Sequence, residues 1–216
     1  MKPLPRKRSP ATPGRWRRRA EARPDEILDA ALAAFTEQGF EAARMEDIAV
    51  RAGLSKAGVY LYFPSKTALL QALIESRVAP LAKLAETVAA AGADDPMRTM
   101  RVIALTLAQR LSDAQIFAVP RLVISVSGRF PEIADYYRTQ VVDVARGALE
   151  QLIEAAIAKG LLRRVDPRAA ARAFIGPLLF EALWMHVLRG ESGFNDPNML
   201  VEQHFDVWLN GLELRA

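Results

Sequence analysis

The stretch that decides the fold runs from Arg44 to Lys66 and reads RMEDIAVRAGLSKAGVYLYFPSK. In its first part apolar residues recur at helical spacing, which predicts a short helix with one apolar face: Met45, Ile48, Ala49 and Ala52. Gly53 follows where a helix closes in left-handed backbone, a conformation that costs glycine little. Ser55 stands where a side-chain oxygen caps the next helix, and that helix ends before Pro64. The pattern predicts two short helices joined by a tight turn.

The same stretch carries a resemblance to a known family. The matching segments are Ile48-Ala49, Ala52-Gly53-Leu54-Ser55-Lys56 and Tyr60-Leu61-Tyr62-Phe63-Pro64-Ser65-Lys66. With the preceding helix and the Gly39-Phe40 turn, they resemble the DNA-binding domain of TetR family bacterial transcriptional regulators over residues 24 to 75. The resemblance implies a homodimeric DNA-binding regulator, typically a repressor, whose second short helix enters the major groove of a palindromic operator.

The composition excludes several classes of protein. The chain has 216 residues and no cysteine, so disulfides and thiolate metal sites are excluded, which fits a reducing cytoplasm. The longest nearly apolar run, Ala173 to Leu188, contains Glu181 and His186 and is shorter than the roughly 20 residues of a membrane span. We therefore expect a cytoplasmic protein without a membrane segment.

The positive charge of the chain is concentrated at its start. Residues 1 to 24 hold nine basic residues and one acidic residue, a net charge of +8, whereas the rest of the chain sums to −4. Five prolines and little apolar surface predict that residues 1–23 form a disordered basic arm. Such an arm either adds phosphate contacts beside the helix-turn-helix or is a solvated extension, and both interpretations stay open.

The first domain is predicted to cover residues 24–81, with the DNA-reading motif at 44–63. Pro24 suits the first position of a helix that Gly39 ends, and a third helix starts at Ser65. Pro80 should kink or interrupt this third helix. In the resembling family, the connection that follows transmits effector binding to the DNA-binding heads.

The motif departs from the family at Arg44, where a capping Thr or Ser is usual, so we expect the side-chain cap to be absent. We place the reading helix at Lys56 to Tyr62, with Val59 facing inward. Ala57 and Gly58 offer few groups for reading base edges, and Tyr62 is equally compatible with a core position. The predicted DNA-contacting residues are Arg44, Met45, Ser55, Lys56, Ala57, Gly58, Tyr60, Tyr62 and Lys66.

Residues 82–216 are predicted to form an all-α second domain. Within it, Arg121 to Ile124 together with Gly128 to Glu132 resemble the C-terminal domain of the AefR-like and AcrR-like TetR subgroup. Two Asp-Pro pairs predict the starts of the last two helices, at about 167–189 and 197–214. Both are apolar on more than one side, which favours packing against a partner on each side. The family resemblance implies that these helices form the homodimer interface.

A helical domain of this kind can enclose an apolar cavity, and the family resemblance implies a small apolar or amphipathic effector. The candidate lining residues are Met100, Phe117, Arg121, Phe174, Phe180 and Trp184. For any single one of them, an ordinary core position is the favoured interpretation. Glu181 interrupts an apolar face and is open to three interpretations: dimer pairing, cavity lining or plain exposure.

The sequence offers no arrangement typical of an enzyme. His186 and His204 have no ligand-spaced partners, and there is no glycine-rich phosphate loop. We therefore expect no catalytic residue, no metal and no cofactor. The alternative that the sequence leaves open is a helical small-molecule binding protein with only nonspecific DNA affinity.

Overall fold

A computed structural model describes residues 13–194 and 196–210, with side chains described from Pro24 onward. Within these residues the secondary structure is entirely helical, which confirms the predicted all-α class. The packing divides the chain into two compact units, one ending at Ser65 and one starting at Lys66. This division falls earlier than the boundary that we expected after residue 81.

The first unit contains three helices: α1 (Pro13–Gln38), α2 (Met45–Arg51) and α3 (Lys56–Tyr60). Helix α1 begins at Pro13 and not at Pro24, so residues 13–23 are helical where the sequence predicted a disordered arm. The segment between the two prolines contains five Arg and two Ala residues, which are good helix formers. Pro24 keeps a helical φ and removes only one backbone hydrogen bond. Residues 1–12 of the predicted arm lie outside the described residues.

The core of the first unit comes from the apolar stripes of its helices. Its most completely buried large side chains are Ile27, Phe35, Ile48 and Val59. Gly39 ends α1 with φ +83°, which directs the chain so that the rings of Phe35 and Phe40 lie 5.0 Å apart. An ion pair between Arg51 and Glu37 ties α2 to the end of α1.

The second unit begins with α4 (Lys66–Leu73), a π-helical turn (Ile74–Val78) and α5 (Ala79–Ala91). Pro80 interrupts the helix as predicted, since it has no N–H to continue the regular hydrogen-bond ladder. The wider turn before it is closed by the N–H of Ala79, which donates to the carbonyl of Ile74. The helices that follow are α6 (Pro96–Leu111), α7 (Ala114–Val126) and α8 (Pro131–Tyr137).

A second π-helical turn (Arg138–Val142) joins α8 to α9 (Asp143–Ala158), so the long helix predicted from Pro131 is continuous but widened once. Helices α10 (Pro167–His186) and α11 (Pro197–Asn210) complete the described chain. Asp166 caps α10 by accepting from the N–H of Arg168 at 2.9 Å, as the Asp-Pro signal predicts. Helix α10 ends before the expected residue 189, where Arg189 adopts φ +57°. The predicted end of α11, at residue 214, lies outside the described residues.

Aromatic rings form the centre of the second unit's core. Phe174 is 1% exposed, and its ring lies 5.1 Å from those of both Phe205 and Trp208. His204 packs 5.2 Å from the same ring, and burial lowers the pKa of its imidazole. His186 Nε2 lies 2.8 Å from the carbonyl oxygen of Leu111. Both histidines are thus partly buried within the second unit.

No single helix among the described residues is long and apolar enough to cross a membrane. Helices α6 and α7 pass the length and composition test only as a pair, and they are bent by 84° at the break between them.

Candidate nucleic-acid interface and effector cavity

The turn between α2 and α3 has the geometry that the sequence predicted. Gly53 adopts φ +63°, and the N–H of Leu54 donates to the carbonyl of Ala49 at 2.9 Å. Ser55 has an extended backbone, and its Oγ accepts from the N–H of Gly58 at 3.1 Å. These contacts satisfy backbone groups that helix ends leave open, so they fix the direction in which α3 leaves the turn.

The start of α2 is less well capped. Arg44 is the N-cap residue and is extended, but its side chain makes no capping hydrogen bond, which confirms the expected loss. Glu46 and Asp47 in the first turn compensate partly, because negative charge is favourable at a helix N-terminus. The exposed Arg44 guanidinium is thereby left available to a phosphate.

Helix α3 turns one apolar residue inward and leaves most others in solvent. Val59 is fully buried, whereas Ser55, Lys56 and Ala57 are exposed and Gly58 is half-buried. The helix ends at Tyr60, two residues before the predicted end, and residues 61–62 form a turn. Tyr62 is 41% exposed, so its tyrosine ring is not a core residue.

Two of the predicted DNA-contacting residues, Met45 and Lys66, are buried or half-buried and lie outside α3. Met45 is 6% exposed, so its side chain belongs to the core of the first unit, and its prediction as a contact residue is corrected. The reason is that position 45 falls on the same helical face as the buried Ile48 and Ala49. Lys66 is half-buried and opens α4 in the second unit.

Lys56 is engaged by a carboxylate in this structure. Its Nζ forms an ion pair with Glu46 and lies 5.9 Å from the centre of the Tyr60 ring. The hydrogen bond from Lys56 lowers the pKa of the Glu46 carboxyl, and the same bond raises the pKa of Lys56. Both groups are exposed, so we expect the pair to break readily when a phosphate competes for the lysine.

Sequence reasoning missed two residues of this surface. Glu46 carried no signal as a partner of Lys56, because ten positions and a turn separate them. Leu61 is 85% exposed directly after α3, where an apolar residue has no core to join. The only sequence signal was its place in the Tyr-Leu-Tyr run, since an exposed leucine beside two tyrosines suits apolar contact with thymine methyl groups.

The turn geometry predicts opposite effects for two glycine substitutions. Gly53→Ala should destabilise the protein by about 1 kcal/mol, because an L side chain is strained at positive φ. Gly147→Ala, in the middle of α9, should stabilise it by about 0.5–1 kcal/mol through helix propensity. An added Cβ meets no atom within 4 Å at either position, so crowding does not enter the comparison. Urea unfolding followed by circular dichroism measures both, and equal signs would contradict the prediction.

The second unit encloses an apolar cavity of about 130 Å³. Helix α5 contributes Leu81, Leu84 and Val88, and α6 contributes a stripe that includes Ile103 and Leu107. Residues of α7, α9, α10 and the two π-helical turns complete the wall. Val102 and Leu84 line the cavity and are about half exposed, so the cavity communicates with solvent between α5 and α6.

Of the six predicted effector contacts, Phe174 lines this cavity. The other five do not line it. Met100 and Phe117 are buried in the core packing around the cavity, because their helical faces meet other helices and leave no free space. Arg121, Phe180 and Trp184 are exposed and do not line the cavity.

An apolar stripe runs along the outer face of α10. Phe180 is 59% exposed and Trp184 is 40% exposed, and their spacing of four residues places them on one side of the helix. Leu188, which follows the end of the helix, is 60% exposed. The rings of Phe180 and Trp184 stack with centres 6.4 Å apart. Trp184 Nε1 donates to the carbonyl of Glu191 at 3.0 Å, which holds this ring in place. The opposite side of α10, with Ala171, Phe174, Leu178 and Ala182, is buried.

A capped turn followed by a short exposed helix defines a helix-turn-helix protein, and the second unit adds a cavity-bearing helical domain. Family comparisons agree with both parts. Residues 27–73 match the bacterial regulatory proteins of the TetR family, and residues 98–207 match the AefR-like transcriptional repressor C-terminal domain. The chain belongs to the TetR family of transcriptional regulators.

Individual relatives show where the similarity lies. The regulator RutR of Escherichia coli K12 is 42% identical over 74 residues, which cover 32% of this chain and 35% of RutR. The chain therefore matches about a third of the length of this curated relative.

Within the described residues, no group of three or more His, Asp or Glu side chains is placed to hold a metal ion.

Two solved structures extend the likeness over most of the chain. The flavonoid-responsive regulator FrrA is 28% identical with a TM-score of 0.64, covering 91% of this chain and 100% of FrrA. SmeT, the repressor of a multidrug efflux pump of Stenotrophomonas maltophilia, is 25% identical with a TM-score of 0.68. That match covers 88% of this chain and 93% of SmeT.

Proposed function

We propose that the protein is a transcriptional repressor that binds a palindromic operator as a homodimer and releases it when a small apolar or amphipathic effector occupies the second unit. The observation that carries the proposal is α3 itself. The direction in which α3 leaves the turn is fixed by Gly53 and by the cap at Ser55, and the residues on its outer side are exposed to solvent. A fixed, exposed second helix is what insertion into a major groove requires.

The apolar stripe of α10 supports the homodimer. Phe180 and Trp184 of α10 expose stacked rings, Leu188 just after the helix is also exposed, and exposed apolar patches often mark interaction surfaces. Glu181 Oε1 is buried with no hydrogen-bond partner among the described residues. A buried carboxylate oxygen normally has a partner, and a second subunit packed on this face would supply donors. A two-fold interface also places two reading helices on one duplex.

The cavity supports the effector. An apolar molecule that fits one of two arrangements of the helices better shifts their equilibrium by its difference in affinity. The two π-helical turns border the cavity through Val78 and Val141. Single π turns within helices are frequent at functional sites, so these are the positions at which we expect a change of helix register.

The ion pair between Lys56 and Glu46 predicts opposite effects on DNA affinity when one or the other member is replaced. Lys56→Ala should weaken binding to all DNA sequences by roughly tenfold, because each dimer loses two phosphate contacts and the salt slope falls by roughly two. Glu46→Gln should strengthen binding, because it removes a like charge near the phosphates and frees Lys56. Fluorescence anisotropy across a salt series measures both effects.

Arg51→Gln is a control for the Lys56 variant, because it also removes a basic residue and breaks an ion pair, with Glu37. It should change the salt slope less than Lys56→Ala does. A loss confined to one base position in the Lys56→Ala variant would contradict the assigned phosphate contact.

The proposed function is tested by DNA-binding assays with the region upstream of the protein's own coding sequence. At physiological salt we expect a defined site, bound at least about a thousandfold more tightly than shuffled DNA. Equal affinity for both DNAs would overturn the proposal.

One observation favours a second candidate, a small-molecule binding protein with nonspecific DNA affinity. Ala57 and Gly58 give α3 no side-chain donor at two exposed or half-exposed positions. This candidate predicts ligand binding together with shallow, salt-sensitive and sequence-independent DNA binding.

A further inference from the structure

We propose that the effector is an amphipathic anion: a short apolar body with a single acidic group that Arg110 binds at the edge of the cavity. The proposal rests on the proposed function, since it names the class of ligand that the same cavity takes. Two observations support it: which polar side chains line the cavity, and which of these already form a hydrogen bond or an ion pair within the protein.

The cavity wall selects an apolar body. Among the twenty described residues that line it, only Thr106 and Arg110 have polar side chains. No aspartate or glutamate is among these lining residues, so a cationic ligand would lose its hydration without gaining a counter-charge. The cavity, of about 130 Å³ and open to solvent between α5 and α6, suits a short chain or a small ring.

Thr106 contributes little to the choice of charge. Its Oγ1 donates to the carbonyl of Val102 at 2.8 Å, so its one hydroxyl proton is used within α6. The hydroxyl oxygen is still able to accept a hydrogen bond, but it carries no formal charge. Discrimination between an acid, an alcohol and an amine therefore depends on Arg110.

Arg110 has the position and the freedom to bind an acid. It follows Ile103 and Leu107 by seven and three positions, which places it on the side of α6 that faces the cavity. It has no ion-pair partner among the described residues, whereas Arg101 pairs with Glu202 and Arg146 pairs with Glu150. A guanidinium stays charged at all physiological pH values and binds carboxylates through two parallel hydrogen bonds.

Three ligands of equal chain length test the proposal: octanoate, 1-octanol and octylamine, each titrated calorimetrically into the full-length protein. We expect octanoate to bind about tenfold more tightly than 1-octanol, and octylamine to bind more weakly than both. Arg110→Gln should remove the preference for octanoate over 1-octanol.

Arg121→Gln is the matched control, because Arg121 is also exposed in the second unit but does not line the cavity. It should keep the preference for octanoate. The proposal is overturned if octanoate shows no binding, if 1-octanol binds as tightly as octanoate, or if Arg110→Gln keeps the preference.

The same samples separate this inference from the proposed function. If 1-octanol and octanoate bind equally and both release specifically bound DNA, the anion proposal fails and the repressor stands. If octanoate binds with the expected preference but the protein shows no sequence-specific DNA binding, the cavity assignment stands and the repressor fails.

Discussion

Replacing Phe180 by aspartate is expected to turn the dimer into a monomer. Phe180 is the most exposed aromatic side chain on α10, and its ring stacks on the ring of Trp184, the other aromatic residue of the apolar stripe. Central aromatic residues carry much of the energy of an interface, about 2–4 kcal/mol each, and a two-fold interface contains each position twice. A buried, unpaired carboxylate adds a further cost. Light scattering at micromolar concentration measures the change in mass.

The same variant should lose most of its specific DNA affinity, because one reading head contacts only a half-site. Its helical circular dichroism should stay at the wild-type level, since position 180 is outside the core. Ile124→Asp is the matched control: Ile124 is 56% exposed on a different helix, α7, and its replacement should leave the mass unchanged. A Phe180→Asp protein that remains dimeric would show that subunits associate through another surface.

Replacing Phe174 by alanine is expected to cost about 3–5 kcal/mol of unfolding free energy. Its ring is nearly fully buried, contacts the rings of Phe205 and Trp208 edge-on, and forms part of the cavity wall. The truncation removes aromatic contacts and enlarges the existing space, and neighbouring helices collapse only partly into such a void. Urea unfolding, followed by tryptophan fluorescence, measures the loss of unfolding free energy.

Ile124→Ala is the control for this measurement, and it should change the unfolding free energy by less than about 0.5 kcal/mol. The Phe174→Ala variant should also bind larger apolar ligands than wild type, since an apolar cavity can accept them. A loss below about 1 kcal/mol would contradict the central packing role of this ring.

The turn of the helix-turn-helix was predictable from single residues because local backbone chemistry decides it. Gly53 is needed for positive φ, and Ser55 for a helix cap, whatever surrounds them. The missing cap at Arg44 was predictable for the same reason. Starts of helices at Asp-Pro pairs also follow from the two residues alone.

The cavity was not predictable in detail, because its lining depends on which sides of several helices face one another. The aromatic residues proposed from the sequence divide between the core, as for Phe117, and the outer stripe, as for Phe180. The actual wall consists largely of aliphatic residues of α5 and α6, such as Leu84 and Val102. Their periodicity is that of any amphipathic helix, so it does not distinguish a cavity from a packed core.

The start of α1 is a second feature that the sequence alone does not predict. Pro24 is a strong signal for a first helical position, but a proline within a helix has the same φ. The preceding Arg-rich segment continues the helix back to Pro13. Proline favours a start at residue 24 and the helix propensity of this segment favours an earlier start, so the sequence alone does not decide between them.

The central claim is that α3 reads DNA in a dimer, and selection of bound fragments from random DNA tests it most directly. Wild-type protein at physiological salt should enrich one palindromic motif whose half-sites are related by two-fold symmetry, and Phe180→Asp should enrich at most a half-site. Failure of a folded, dimeric wild-type protein to enrich any sequence over the input would contradict the claim.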